Sequence, residues 1–233
     1  KSTGTVTYDE ADAQDIDNVE YHNLTLSGSG NKTVQGSHGV GGVLTVSSGP
    51  TLVVSNSGHK LTAASITHNN SGSITISDGE IECTGKADID GLLTISGSGA
   101  TLDVNGELEF SSTTTEAISN GNITVAGDFD GSAANNFTPT GGTLTMDGSG
   151  ADAGITMHSS ANFNNLTVNS GSYDVDAGSN FDVDGALTIS GGELDILART
   201  VAVAGASDVA SGATLNINGS GVFDANGSFD ANS

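Results

Sequence analysis

The sequence predicts an all-β fold, a right-handed parallel β-helix (β-solenoid) with coils of about 20 residues. Three observations predict it. A short motif of an aliphatic residue, Thr and another aliphatic residue, usually followed by Ser, recurs along the chain. Its alternation is typical of a short strand with one aliphatic face and one hydroxyl face. Glycine-containing turns, such as Gly28-Ser29-Gly30 and Gly191-Gly192, separate the strands.

The spacing of the motif predicts the coil length. Its copies start at Leu24, Leu44, Ile74, Leu93, Ile123, Leu144, Leu166 and Leu187, which are 20, 30, 19, 30, 21, 22 and 21 residues apart. Most intervals correspond to one coil, and the two long ones leave room for an extra short strand. Such strands bury a face only when coils stack, so roughly ten coils at ~4.8 Å predict a rod of about 50 Å.

Tandem antiparallel β-sandwich domains are the alternative fold, because their strands also recur every ~8–12 residues. The repeat is nearer 20 than 100 residues and runs through the chain without a linker. We therefore expect one solenoid domain over residues 1–233. Residues 1–20 and 221–233 look like strands, and neither segment has the pattern of a polar cap. Because uncapped strand edges attract further strands, we expect these segments to engage in contacts with copies of the same chain, end to end or by strand donation.

Composition excludes several classes of protein. Five Lys and Arg against 28 Asp and Glu give a net charge of −23, which excludes a basic patch for nucleic acid or an anionic membrane. One Cys excludes a disulfide framework, and no apolar run approaches the ~18 residues of a membrane span. With 7 Phe, 3 Tyr and no Trp, the core is predicted to be aliphatic. The first residues, Lys1-Ser2-Thr3, show no secretory signal, so we expect a mature chain or a piece of a longer one.

Three Asp-x-Asp-Gly segments are the strongest chemical motif. In a strand, residues two apart share a face, and the glycine allows a turn that aims a carbonyl at the same point. Ca²⁺ prefers such oxygen ligands, although no segment matches a complete calcium-binding repeat. Solvated carboxylates at turns are the alternative interpretation. The candidate Ca²⁺ ligands are Asp88, Asp90, Asp128, Asp130, Asp182 and Asp184.

Other reactive or modifiable groups are scattered along the chain. Seven Asn-x-Ser/Thr sequons are candidate glycosylation sites: Asn23, Asn31, Asn69, Asn122, Asn165, Asn218 and Asn226. No two histidines have metal-ligand spacing, so all five are predicted to face solvent. Cys83 lies in a strand-like segment without a nearby base, which predicts an inert, buried thiol.

A longer repeat unit resembles a known family. The segments are Gly4-Thr-Val-Thr-Tyr-Asp9 followed by Tyr21-His-Asn-Leu-Thr-Leu26, and Gly142-Thr-Leu-Thr-Met-Asp147 followed by Phe163-Asn-Asn-Leu-Thr-Val168. They resemble repeats of large bacterial secreted β-strand-repeat proteins, which include adhesins and autotransporter-like passenger domains. The resemblance implies an extracellular or cell-surface location and a structural or adhesive role, with surface glycans as candidate partners. It supplies no catalytic residues.

The leading functional prediction is therefore a non-catalytic, extracellular β-solenoid that forms a surface filament, a fibre or an adhesin stalk. A polysaccharide-binding or -degrading β-helix is one alternative, but Arg199 is the only Arg and there is no Trp for sugar stacking. Ice binding is another, because Thr5-Val6-Thr7 and Thr143-Leu144-Thr145 present paired threonines. Most copies of the motif carry a single Thr, which argues against a wide threonine array.

Overall fold

A computed structural model describes residues 3–150, 153–175, 178 and 180–232. The chain forms a β-solenoid of about 11 turns of roughly 21 residues, as the repeat predicted. The strands are β1 (Thr5–Tyr8), β2 (Gln14–Ile16), β3 (Asn23–Leu26), β4 (Asn31–Val34), β5 (His38–Val46), β6 (Thr51–Val54), β7 (Lys60–His68), β8 (Ser73–Ile76), β9 (Glu80–Cys83), β10 (Ala87–Ile89), β11 (Leu92–Ile95), β12 (Thr101–Val104), β13 (Leu108–Phe110), β14 (Thr115–Ile118), β15 (Asn122–Val125), β16 (Phe129–Gly131), β17 (Thr143–Met146), β18 (Ala153–Met157), β19 (Asn162–Phe163), β20 (Asn165–Val168), β21 (Ser172–Val175), β22 (Phe181–Val183), β23 (Leu187–Ile189), β24 (Glu193–Ile196), β25 (Thr200–Val203), β26 (Ser207–Val209), β27 (Thr214–Ile217), β28 (Val222–Ala225) and β29 (Phe229–Ala231). The described residues form no helix long and apolar enough to cross a membrane.

Successive coils pair through three ladders of strands, which we name faces A, B and C. Face A holds β1, β3, the ends of β5 and β7, β10, β13, β16, β18, β21, β24 and β27. Face B holds β2, β4, β6, β8, β11 and β14 and, after a break, β19, β22, β25 and β28. Face C holds the starts of β5 and β7, then β9, β12, β15, β17, β20, β23, β26 and β29. Each of these strand pairs is parallel, so the antiparallel sandwich alternative is wrong.

The register explains the two long intervals of the repeat. Leu24 pairs with Leu44 on face A, Ile74 with Leu93 on face B, and Ile123 with Leu144 on face C. Each 30-residue interval therefore contains one strand more than a coil, as the spacing predicted. That extra strand moves the motif from one face to the next while the coil length stays nearly constant.

Alternation along each strand separates the core from the surface. Most strands show buried aliphatic residues at every second position and half-buried Thr, Ser, Asn or acidic residues between them. Burying one Val, Leu or Ile side chain contributes about 1.5–3 kcal/mol, so the stacked inward columns supply the main stabilising energy. At a corner between faces, Gly28 has a φ of 71°, and a Cβ there would lie 2.4 Å from the carbonyl oxygen of Asp9. Close stacking of the turns therefore requires glycine.

Face B is interrupted between β14 and β19. Glu116 takes an inward position in register with Leu93. Its carboxylate accepts hydrogen bonds from the backbone N–H of Thr138 at 2.7 Å and of Ile118 at 3.1 Å. The Thr138–Thr140 segment contains Pro139, which has no N–H to donate to a ladder. The Glu116 carboxylate thus accepts hydrogen bonds from backbone N–H groups that would pair with a neighbouring strand in a regular ladder.

Phenylalanine fills the core around this interruption. Five rings form a contiguous stack, with centroid separations between 5.1 and 6.0 Å. The rings belong to Phe110, Phe129, Phe137, Phe163 and Phe181, and all are buried. The prediction of an aliphatic core is wrong for this region, because residues that are scattered in the sequence converge when coils stack.

The first coil contains polar contacts that the sequence did not indicate. Tyr21 donates its hydroxyl hydrogen to the carbonyl oxygen of Asp17 at 2.9 Å, and its oxygen lies 2.8 Å from the Tyr8 hydroxyl. Lys32 is fully buried at an inward position, and its Nζ donates to the carbonyl oxygens of Glu10 and Asp12. Long side chains with polar tips thus occupy the interior at this end.

Candidate functional site

The candidate Ca²⁺ ligands are divided among separate regions, and the largest group lies on face A. Strands β10, β13 and β16, with the residue before each, present a patch that we name the face A acidic ladder: Lys86 and Asp88, Glu107 and Glu109, Asp128 and Asp130. Asp88 pairs with Glu109, and Glu109 pairs with Asp130. The structure therefore brings Asp88 and Asp130 into one column, with a glutamate between them that the motif search missed.

Lys86 balances part of the charge of this ladder. Its Nζ lies 3.3 Å from Oε1 of Glu107 and also contacts Oε2 of Glu109. These contacts raise the pKa of Lys86, with the Glu109 hydrogen bond as the largest cause. The signal for them was in the sequence, because Lys86 and this Glu pair lie one coil apart. Burial, followed by the charges of Asp90 and Glu109, raises the pKa of Asp88.

Several of the candidate carboxylates already accept hydrogen bonds from the chain. Asp128 accepts from the Gly154 N–H at 2.7 Å, and Asp130 accepts from the Ser132 N–H at 2.9 Å. On face B, Asp184 accepts from the Asn162 amide at 2.6 Å. These contacts hold neighbouring turns and coils in place.

Asp90 and the Asp182–Asp184 pair are not part of the face A acidic ladder. Asp90 follows β10 at a corner, and its N–H donates to the carbonyl oxygen of His68 at 2.9 Å. Asp182 lies in β22 on face B. Within the described residues, no three His, Cys, Asp or Glu side chains form a group that could hold a metal ion. Calcium binding therefore stays a prediction, and no Asp-x-Asp-Gly segment forms a closed cage of ligands in the described part of the chain.

Face C carries a second charged ladder, formed by the start of β7 and by the strands β9 and β12 that follow it on this face. Lys60 Nζ lies 2.8 Å from Oε1 of Glu80 and 2.9 Å from Oε2 of Glu82. Hydrogen bonding to Lys60 lowers the pKa of Glu82, whereas burial, followed by the charge of Asp147, raises the pKa of Asp103 on the next strand. Because the ion pairs are partly exposed, each contributes about 0–1 kcal/mol. Two glutamate pairs are thus placed on two different faces, each beside a lysine.

Uncharged threonine columns occupy other parts of the surface. On face A, Thr7, Thr25, Thr45 and Thr67 are in register along consecutive coils. On face C, the same holds for Thr124, Thr145, Thr167 and Thr188. A second outward column beside them holds Asn122, Thr143 and Asn165. The structure therefore assembles a regular hydroxyl and amide array from motifs that carry one Thr each.

The seven sequons fall into two structural groups. The side-chain amide of Asn165 donates to the Gly142 carbonyl at 2.9 Å, and its oxygen accepts from the Ala186 N–H at 2.9 Å. Asn23 accepts from the Val43 N–H at 2.9 Å in the same way. A glycan on Asn165 would replace one of the two amide hydrogens that donate to Gly142 and Asn164, so one of these two contacts would have to break. The other group makes fewer contacts. It contains the exposed residues Asn31, Asn122, Asn218 and Asn226 and the half-buried Asn69. The side-chain amide of Asn218 donates to Asp195.

Two histidines lie in the interior, contrary to the prediction that all five face solvent. His68 is fully buried, in register between Val46 and Ile89, and His38 is 5% exposed. Within the described residues, neither ring makes a hydrogen bond of good geometry, although backbone groups of Gly36 and Gly72 lie beside His38 and His68 respectively. Burial lowers the pKa of both residues. Position, rather than residue type, decides this outcome, because inward and outward sites alternate strictly.

Cys83 is a buried, free thiol, as predicted. It is fully buried, and its Sγ–H lies within hydrogen-bond reach of the carbonyl oxygens of Gly85 and Lys86. Burial raises the pKa of the thiol, which keeps it protonated and unreactive at neutral pH.

Comparison with known proteins identifies no relative of this chain. No protein-family model, no curated protein and no solved structure matches the chain. The features that carry a functional argument are therefore the ladders, the columns and the two ends of the solenoid.

Proposed function

We propose that the chain is an extracellular structural protein, a non-catalytic β-solenoid that serves as the subunit of a surface filament or as an adhesive stalk. The ladders of faces A and C run through the described coils without a break and make an extended, stiff object, since each coil is held by its neighbours through parallel backbone hydrogen bonds. The resemblance of the repeat to secreted bacterial β-strand-repeat proteins supports the surface location.

The exposed ends of the core carry this proposal. Val6 is 45% exposed, although it pairs with the fully buried Leu24 one coil later. At the other end, Ile217 is 50% exposed, although its partner Ile196 is fully buried. The same inward columns thus emerge at both ends, where no further coil covers them within the described residues. Exposed apolar residues beside open strand edges favour association with another strand-rich surface.

Assembly is tested by sedimentation velocity and negative-stain electron microscopy over a series of protein and salt concentrations. We expect rods a few nanometres wide that lengthen as protein concentration rises, once salt screens the net charge of −23. Particles that stay monodisperse at every protein and salt concentration would remove the filament proposal.

Ice binding is a second candidate function, favoured by the in-register array on face C. Strands β15, β17, β20 and β23 present hydroxyl, amide and methyl groups at ~4.8 Å intervals with no charged side chain at their outward positions. A regular, uncharged surface of this kind can order water. Freezing hysteresis of the wild type compared with Thr145→Lys tests it, with Thr45→Lys on face A as the matched control. Equal hysteresis in all three proteins, or none in any, would exclude this face.

A further inference from the structure

We propose that a second copy docks head to tail, in register, so that the three ladders continue from one copy into the next, and that two opposed carboxylate pairs make this junction dependent on ionic strength. The inference rests on the proposed function and specifies the geometry and the control of the subunit contact.

Strand order makes the two ends complementary. In the last coil, β27, β28 and β29 lie on faces A, B and C, and each pairs with one earlier strand within the described residues. In the first coil, β1 lies on face A and β2 on face B, and Tyr21 bridges to Val40 on face C. A copy moved along the solenoid axis therefore presents strands in the same order and direction as the next coil would. Its open N–H and C=O groups meet the open groups of the last coil.

Inward residues define the register of this junction. Leu215 and Ile217 are the inward residues of β27, and Val6 and Tyr8 are those of β1. The inward column that begins with Val6 and Leu24 runs through successive coils to Ile217, so Val6 of the next copy would lie over Ile217. On face C, Phe229 is 52% exposed and faces inward in register with the buried Ser207.

A second apolar residue meets the junction on face C. Val19, in the bend two residues before the Tyr21 bridge, is 53% exposed. It would cover Phe229. Burying these side chains supplies the apolar contact that a stable junction needs.

The same register places like charges opposite each other. On face B, Asp224 is the outward residue of β28, and Asp15 is the outward residue of β2. On face C, Asp230 of β29 would lie opposite Glu20 of the next copy. Neighbouring strands are ~4.8 Å apart, so both carboxylate pairs would repel at close range. The two members of each pair belong to different copies, so this repulsion is absent in the monomer and arises only at the junction.

Salt controls this repulsion more strongly than it controls the apolar contact. The Debye length falls from about 30 Å at 0.01 M to about 3 Å at 1 M ionic strength. Association is therefore weak at low salt and increases as the carboxylate pairs are screened. Removing the charges from one side of the junction should have the same effect without added salt.

The test compares two double variants that lose the same charge. Asp224→Asn with Asp230→Asn neutralises the end coil, and Asp103→Asn with Asp147→Asn neutralises two sites in the middle of face C as the control. Sedimentation velocity is measured for each protein at about 0.01 M and about 1 M NaCl, the two ends of the screening range. We expect the end-coil variant to associate at low salt at least about tenfold more tightly than the control, equivalent to ~1.4 kcal/mol.

A cross-linking experiment tests the register directly. Asn216 is outward on β27 just before Ile217, and Thr5 is outward on β1 just before Val6, so the register places Asn216 and Thr5 opposite each other. Cα atoms on adjacent strands are within the 4.4–6.8 Å range of a disulfide. Thr5→Cys and Asn216→Cys proteins should form a disulfide-linked heterodimer when mixed under oxidising conditions at high salt. Neither protein should cross-link by itself, since Cys83 is buried.

The outcomes separate this inference from the function on which it rests. If the wild type associates at high salt, but the end-coil variant behaves like the control or Asn216→Cys cross-links with itself, the head-to-tail junction is wrong and the filament proposal stands. If the wild type never associates, both fail. Association of the end-coil variant at low salt, together with the mixed cross-link, supports the junction.

Discussion

The interior of the first coils differs from the interior of the middle coils, although both follow the same strand alternation. The first coils hold polar side chains at inward positions: Lys32, His38 and His68. The middle coils hold the stack of five phenylalanine rings beside the interruption of face B. The backbone repeat therefore does not require one kind of core.

This difference shows how a solenoid accommodates irregularities. Lys32 reaches carbonyl groups of the preceding coil with its tip, so its charge is solvated by the chain while its stem lies in the core. Around the interruption, large rings fill the volume that a missing strand leaves. In the first coils, burial lowers the pKa of His38 and His68, so stability there should respond to pH, whereas the ring stack of the middle coils depends on packing and should not.

The largest expected effect is loss of packing in the phenylalanine stack. Phe129 contacts Phe110, Phe137 and Phe163, with centroids 5.4–5.7 Å apart. Phe129→Ala should destabilise the protein by about 3–5 kcal/mol, because it removes the ring and leaves a cavity. Urea unfolding followed by circular dichroism measures this loss.

Leu52→Ala in the aliphatic columns is the matched comparison for that variant. Stability in a solenoid is a sum over neighbouring coils, so Phe129→Ala should also separate unfolding of the coils before and after the interruption into two transitions. A single transition for Phe129→Ala, with a loss no greater than that of Leu52→Ala, would contradict the distinction between the two cores.

A smaller effect is expected from the carboxylate that closes the interruption. Glu116→Gln leaves one acceptor oxygen for two backbone donors, the N–H groups of Ile118 and Thr138. Losing one acceptor at a partly buried site costs about 1–3 kcal/mol. Thermal unfolding at pH 7 checks this, with Glu10→Gln on the exposed first turn as the control. An equal melting temperature for both variants would mean that Glu116 does not hold the segment.

The smallest effect at neutral pH is expected at His68. This effect depends on pH. Burial lowers the folded-state pKa of His68 below the ordinary value of 6.5. Its neutral form is therefore favoured in the folded state, and stability is retained above pH 6.5. As pH falls below 6.5, the unfolded chain binds a proton first, and stability declines by at most about 1.4 kcal/mol per pH unit. Burial also raises the pKa of Asp88, Asp103 and Asp147, so acid protonates those groups in the folded state first and acts in the opposite direction.

Comparison of His68→Leu with the wild type isolates the histidine contribution from that of the carboxylates. The variant should lose less stability than the wild type between pH 7 and pH 5, and His22→Gln, at an exposed site, should behave like the wild type. Urea unfolding at each pH measures the difference. Parallel curves for His68→Leu and the wild type would show that the buried ring does not titrate between the two states.

The coil follows from local patterns in the amino-acid sequence. Alternation in Leu24-Thr25-Leu26 and its copies specifies which side chains turn inward, and glycine turns such as Gly28 specify where coils can approach closely. Both are local properties, set by a period of two and by the absence of a Cβ. Spacing near 20 residues then implied the stacking, which the register of Leu24 with Leu44 confirms.

Which residues become neighbours across coils depends on the register of the folded chain. Asp88 joins Glu109 rather than Asp90, and Phe137 joins Phe110 and Phe163, because contacts form between residues about 21 positions apart and a shift of one position reverses inside and outside. The burial of His68 follows for the same reason, since its position on β7 sets its direction. Composition could not locate the charges, because the folded register, and not their number, places Lys86 beside Glu107 and leaves Asp224 and Asp230 on the open end.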